Sequence, residues 1–176
     1  MSADETLLRL VRHNTWANLK LMEFCRSLSP EQLGWTTPGT FGTLHATLRH
    51  IVAAEHGYLH GLTGELPPIE VEGRGKPLGP DNTPPLDELI ERARSNGERM
   101  ERYVRSGADP LRVIARRTHK AVAAIIAAQY IHHGGDHRAH AGTVLGAHGV
   151  EIPPDPNDDG LDLWGYGNEI GEVKPV

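Results

Sequence analysis

The stretch YIHHGGDHRAHAGTVLGAH, Tyr130 to His148, decides how this chain is read, and it holds five of the eleven histidines. His133 and His137 stand four residues apart, so on a helix they share one face about one turn apart. At about 100° per residue, Val122, Ile126, Gln129, Tyr130, His133, His137, His140 and Val144 fall in one stripe. The histidines therefore continue an apolar face and are expected to point into a core. The spacing predicts a helix from His119 to Ala147. Gly134 and Gly135 cost roughly 1 kcal/mol each against Ala in mid-helix. Their presence marks a kink or a close helix contact, and Gly149 is the expected stop. Two imidazoles one turn apart can close on one metal ion. Taken alone, two helix-face histidines satisfied by hydrogen bonds explain the pair as well. A third ligand must come from elsewhere, and His50, in TLHATLRHIVAAEHGYL, is the best placed.

Working outward, three more helices are expected. Asp4 to Leu28 carries Leu7, Leu8, Val11, Leu19, Met22 and Phe24 as an approximate stripe, with Trp16 between its halves. Ser29 to Gln32 then reads as a capping box with Pro30 in the first helical position, soon broken at Gly34. A helix from about Phe41 to Leu62 turns Leu44, Leu48, Ile51, Tyr58 and Leu59 inward. His50 lies off that stripe among small residues, which let a neighbouring helix approach. Glu55 falls inside the stripe, so it should be paired, near a metal or wet. Thr63 to Pro85 is rich in Pro and Gly, as a crossover strap or a lid would be. The next helix runs to about Arg105, with Thr83 as candidate cap and Pro84 and Pro85 in its first turn. Leu111 to Arg117 reads as extended or as an irregular turn. From residue 150 the tail is turn-rich, and Leu161, Leu163, Trp164 and Tyr166 are expected to pin it onto the bundle as a non-helical strap.

Composition sets limits. The chain has 176 residues, 38% apolar and 23% charged, with net charge −5. This fits one domain, 1–176, with a full core. No concentrated basic patch speaks for nucleic acid. The longest apolar run, AVAAIIAAQYI, is far short of a membrane span. The opening MSADETLLRLVRHN lacks the layout of a signal peptide. Cys25 is the only cysteine, so no intrachain disulfide forms. A cytoplasmic location is the expectation.

The motifs resemble the DinB-like superfamily of metal-binding four-helix bundles, which includes bacillithiol transferases and the mycothiol-dependent maleylpyruvate isomerase. TWAN at 15–18 is similar to a Trp-Ala-Asn of its first helix, and TFGTLHATLRHI to the segment carrying its first metal ligand. HGGDHRAH at 133–140 is similar to its His-x-x-x-His-Arg-Gly-Gln, with Ala139 and His140 departing from the usual Gly-Gln. LDLWGYGNEIGE resembles the tail of one large subgroup. The resemblance implies an all-α four-helix bundle with a long connection between its second and third helices. It implies His50, His133 and His137 as metal ligands. Glu55 falls where members often carry Glu; it is a candidate acid–base group or a group behind the ligands, and otherwise one half of a structural buried pair. His132, beside His133, would become the ligand if the register slipped by one, and His140 is a candidate fourth imidazole. His45, His56, His60, His119 and His148 are expected at solvated or rim positions. Trp16 is expected in the core, Asn18 at an ordinary polar helix position, and Arg138 on the surface or paired with an acid.

Three imidazoles leave a coordination position open, the mark of a catalytic metal site. Such a site activates water, polarises a carbonyl or binds a thiolate. Zn²⁺ or Ni²⁺ are the expected occupants, with Fe²⁺ a third candidate. Two classes of function follow. One is a metal-dependent enzyme on a small molecule, either a hydrolase or a transferase or isomerase using a low-molecular-weight thiol as co-substrate. The thiol comes from the resemblance alone. The other is a non-catalytic metal-binding or ligand-sensing bundle. A homodimer is expected from the family and from the frequency of two-fold assemblies.

Overall fold

A computed structural model describes residues 4–65, 84–115, 118–152 and 160–174. Helix α1, Glu5–Cys25, starts under Asp4, whose side chain accepts from the Leu7 amide. Helix α2, Pro30–Leu33, is a single turn closed by the capping box read from Ser29 and Gln32. Helix α3, Leu44–Thr63, is capped by the Thr43 hydroxyl, which accepts from the Ala46 amide. Helices α4, Leu86–Arg105, α5, Ala123–Ala147, and α6, Leu163–Glu169, follow.

Which residues meet fixes the directions of the four long helices. Thr15 lies against Gly97 and Arg26 pairs with Asp87, so α1 and α4 are antiparallel. Leu8 shares a core with Ala127 and Leu21 shares one with Ala141, so α1 and α5 run parallel. His45 meets Pro84, and farther along Asn96 meets Val52 and Arg99 meets Glu65, so α3 and α4 run parallel too. Leu44 shares the first cluster with Leu145, and Leu59 shares the second with Ile126, so α3 and α5 are antiparallel. Helices α3 and α4 are thus parallel neighbours. The end of one and the start of the next lie at opposite ends of the bundle. Residues 66–83, and with them the candidate cap Thr83, lie outside the described residues. Pro85 occupies the cap position of α4, with no side-chain cap bond.

The core divides in two. One cluster gathers Leu21, Met22, Leu44, Leu48, Leu89 and Leu145, and the other Leu8, Val11, Leu59, Met100, Ile126 and Tyr130. Each fully buried aliphatic side chain contributes about 1.5–3 kcal/mol. Between the clusters lies a layer of buried polar side chains, among them Asn14, Asn18, Glu55 and Asn96. This layer and the histidines share the middle of the bundle.

Three expectations need correction. First, the long histidine helix begins at Ala123, not His119. Lys120–Val122 pairs instead with Val113–Ala115 in a two-stranded antiparallel hairpin (β1 and β2), with Ile114 opposite Ala121. The Ala123 amide donates to the Arg112 carbonyl, and Ile114 is buried in the second cluster. That burial outweighs the helical periodicity of the strand's three residues. Second, the tail contains a short helix, α6, capped by Asp162. Tyr166 is buried and Leu161 packs on the first cluster, whereas Leu163 and Trp164 are 45% and 63% exposed and do not pin it. Third, Gln129 is exposed rather than inward.

Candidate metal centre

Helix α3 carries His50 and helix α5 carries His133 and His137. Each offers one ligand nitrogen, and these three atoms lie within 4.8 Å of one another. His50 Nε2 and His133 Nε2 face each other at 3.1 Å. The ring of His137 stands 4.3 Å from that of His133 and 4.5 Å from that of His50, centroid to centroid. Phe41, just ahead of α3, lies flat on His50 at 4.0 Å and meets His137 edge-on at 5.1 Å. Tyr58 meets His133 edge-on at 5.7 Å. Phe41 is 44% exposed, so it forms the outer wall of the group.

Burial sets the protonation of the three rings. It pushes His50 down to about 4, helped by the neighbouring His133 and Arg49. It pushes His137 down to about 4 as well, helped by His133, His50 and His140. His133 is lowered by the same cause. All three are neutral at pH 7, the state a ligand needs.

The donor set fits a divalent ion. Tetrahedral nitrogen ligands at ordinary Zn–N lengths stand about 3.3 Å apart, close to the His50–His133 separation. Three neutral imidazoles suit Zn²⁺, Ni²⁺ or Fe²⁺ better than Ca²⁺ or Mg²⁺. His133 and His137 also bury an Nδ1 that finds no hydrogen-bond partner among the described residues. His133 turns its Nε2 to His50, so coordination through that atom would make the buried Nδ1 the N–H side of the ring.

The remaining histidines sort by position. His132 turns out to solvent and pairs with Asp136 at 3.1 Å. The register is therefore the one that brings His133 to His50. His140 meets His137 edge-on at 5.1 Å, outside the group of three. His45 reaches the Pro84 carbonyl, and His148 is stacked on Trp35 at 4.3 Å. His56 is half-buried, and His60 and His119 are exposed. Trp16, expected in the core, is half-buried and outside both core clusters; it packs with His13 and Tyr166 under the tail. His13 itself was not singled out by sequence reasoning; it is buried, with Nε2 2.9 Å from the Leu161 carbonyl.

Glu55 is 1% exposed and sits in the polar layer. Its Oε1 accepts from Asn14 Nδ2 and Asn18 Nδ2, each at 2.7 Å. The Oδ1 atoms of the same two asparagines accept from the Arg138 guanidinium, again at 2.7 Å each. Burial raises the Glu55 carboxyl to about 7 against the pull of Asn14, Arg138, Asn96 and Asn18. Burial lowers Arg138 to about 10, with Glu55 opposing. Asn14, four residues before Asn18 on the same helix face, carried no sequence signal beyond that spacing. Its partner is 41 residues away.

Residues 9–141 match the family model of the DinB superfamily. The chain belongs to the DinB superfamily. The crystal structure of a DinB-like protein from Bacillus cereus ATCC 10987 is similar over 88% of this chain and 98% of that one, with a TM-score of 0.67 at 18% identity. At that identity the likeness speaks for the fold. No curated protein matches the chain. DinB-like proteins bind metal, and the three histidines of this DinB-superfamily chain could hold one ion. No helix among the described residues is long and apolar enough to cross a membrane.

Proposed function

We propose that this DinB-superfamily chain is a divalent-metal-dependent enzyme acting on a small molecule, with the ion held by His50, His133 and His137. The observation that carries the reading is the convergence of three neutral, half-buried ring nitrogens within 4.8 Å. In this reading Zn²⁺ or Ni²⁺ is the preferred ion, with Fe²⁺ next. When bound, such an ion supplies a Lewis acid that activates water or a thiol, or polarises a carbonyl. The chain's own residues do the rest. The three imidazoles present lone pairs rather than protons, because burial keeps them neutral. Phe41 and Tyr58 limit water on the flanks of the site. Glu55 touches no ligand ring in the contacts above. Its carboxyl, raised to about 7 by burial, lies behind the site and is joined to Arg138 through Asn14 and Asn18.

The reaction in this proposal is hydrolysis, or transfer or isomerisation with a low-molecular-weight thiol as co-substrate. The thiol rests on the family resemblance. The working form is a homodimer in the cytoplasm. The test is turnover of a panel of esters, amides and thiol-plus-electrophile pairs by protein loaded with Zn²⁺, Ni²⁺ or Fe²⁺, repeated with chelator. Chelator-sensitive turnover supports the enzyme. Stoichiometric metal with no turnover on the panel supports the alternative, a metal-binding or ligand-sensing bundle. Absence of metal from protein grown in supplemented medium overturns both.

A further inference from the structure

We propose that Asn14, Asn18, Glu55 and Arg138 form a positioning network that sets the spacing of the two ligand-bearing helices, and with it the metal affinity of the site. The inference rests on the proposed metal centre. Glu55 lies five residues after His50 on α3, and Arg138 directly follows His137 on α5. The two charges do not meet. Two side-chain amides of α1 stand between them, making four bonds of 2.7 Å each.

The orientation of both amides is forced. A guanidinium only donates, so the atom facing Arg138 must be Oδ1. That leaves Nδ2 to face the carboxylate. Each asparagine dipole therefore lies along the line from cation to anion, and a shift of α3 against α5 breaks bonds on both sides. Among apolar side chains the same shift would cost only a repacking. Short directional bonds resist it better.

Gly134 shows how closely the network is built into α5. A Cβ at this position would collide with Asn14 Oδ1 and crowd the Arg138 guanidinium. The mid-helix glycine beside His133 thus makes room for an asparagine of another helix. Groups behind the ligands of a metal site change affinity by about 10- to 100-fold when altered.

The test uses the full chain and measures the Zn²⁺ dissociation constant by chelator competition, the visible spectrum of the Co²⁺-loaded protein, and the melting temperature of the metal-free protein. Asn18→Asp sets a second carboxylate against Glu55 and should weaken Zn²⁺ binding by about 10- to 100-fold. Adding Glu55→Gln returns a donor to that contact and keeps one negative charge beside Arg138. The double variant should recover to within about threefold of wild type and regain its Co²⁺ spectrum. Gly134→Ala changes no polar group and favours helix, yet should also weaken binding by displacing Asn14. It keeps the inference testable if Asn18→Asp does not fold. Leu59→Ala, in the core at one end of the bundle, should lower the melting temperature and leave affinity unchanged. Wild-type affinity in folded Asn18→Asp or in Gly134→Ala overturns the network, as does failure of the double variant to recover. Equal loss of affinity in Leu59→Ala also overturns it, by making affinity follow stability alone. A wild type that binds no metal overturns the metal centre itself and takes this inference with it.

Discussion

His50 Nε2 and His133 Nε2 face each other at 3.1 Å across the groove between α3 and α5. One sits 83 residues before the other, and only the antiparallel packing of the two helices brings them together. Two neutral imidazoles in this relation can share one proton or one cation. Their neighbour His137 completes a group of three that could hold one ion.

Replacement of His50, His133 or His137 by Ala should each reduce bound metal to a small fraction of wild type, while helix content is retained. His132→Ala and His45→Ala should bind as wild type, because their rings face Asp136 and Pro84 instead. Metal content by mass spectrometry after purification decides this. Full occupancy in any of the three single variants would remove that residue from the ligand set.

Metal-free protein should lose stability on acidification. His13, His45, His50, His133 and His137 are all held below the usual 6.5 by burial. The unfolded chain therefore takes up their protons first. This contribution is present above 6.5 and is lost as the pH falls towards about 4. Glu55 acts in the opposite sense. Raised from 4.5 to about 7, its contribution is fullest below 4.5 and fades as the pH rises through 7. Five groups outweigh one, so the melting temperature of chelator-treated protein should fall between pH 7 and pH 5. A flat or rising trend over that range would contradict the burial of the site.

Phe41→Ala should speed removal of the metal by an external chelator. The ring covers one face of His50 and the edge of His137. A stacked ring pair of this kind is worth about 0.5–1.5 kcal/mol, so the stripping rate should rise about fivefold. Stopped-flow competition measures it, and an unchanged rate would mean that the ring neither shields nor holds the site.

The tail should respond unevenly to substitution. Tyr166 is buried against His13 and Trp16, so Tyr166→Ala should cost about 3 kcal/mol in chemical denaturation. Trp164 is 63% exposed, and Trp164→Ser should stay within about 0.5 kcal/mol of wild type. A larger loss at Trp164 than at Tyr166 would mean that the tail docks through the other face of α6.

The sequence by itself determined the elements whose information is local. Helical periodicity, the capping box at Ser29 and Gln32 and the four-residue step from His133 to His137 are read over a few residues, and all reappear in the structure. The misplaced carboxylate in the apolar stripe of α3 announced a buried polar partner. Periodicity could not name that partner, because Asn14, Asn18 and Arg138 come from two other helices. Tertiary structure also decided between His132 and His133. They are adjacent in sequence but about 100° apart around the helix, and only the rotation of α5 against α3 says which one faces His50. The same holds at Lys120–Val122, where the helical pattern gives way to a strand because Val113–Ala115 offers its backbone and Ile114 gains burial. A local pattern records what a segment prefers; hydrogen-bond partners and burial supplied by distant segments choose among those preferences.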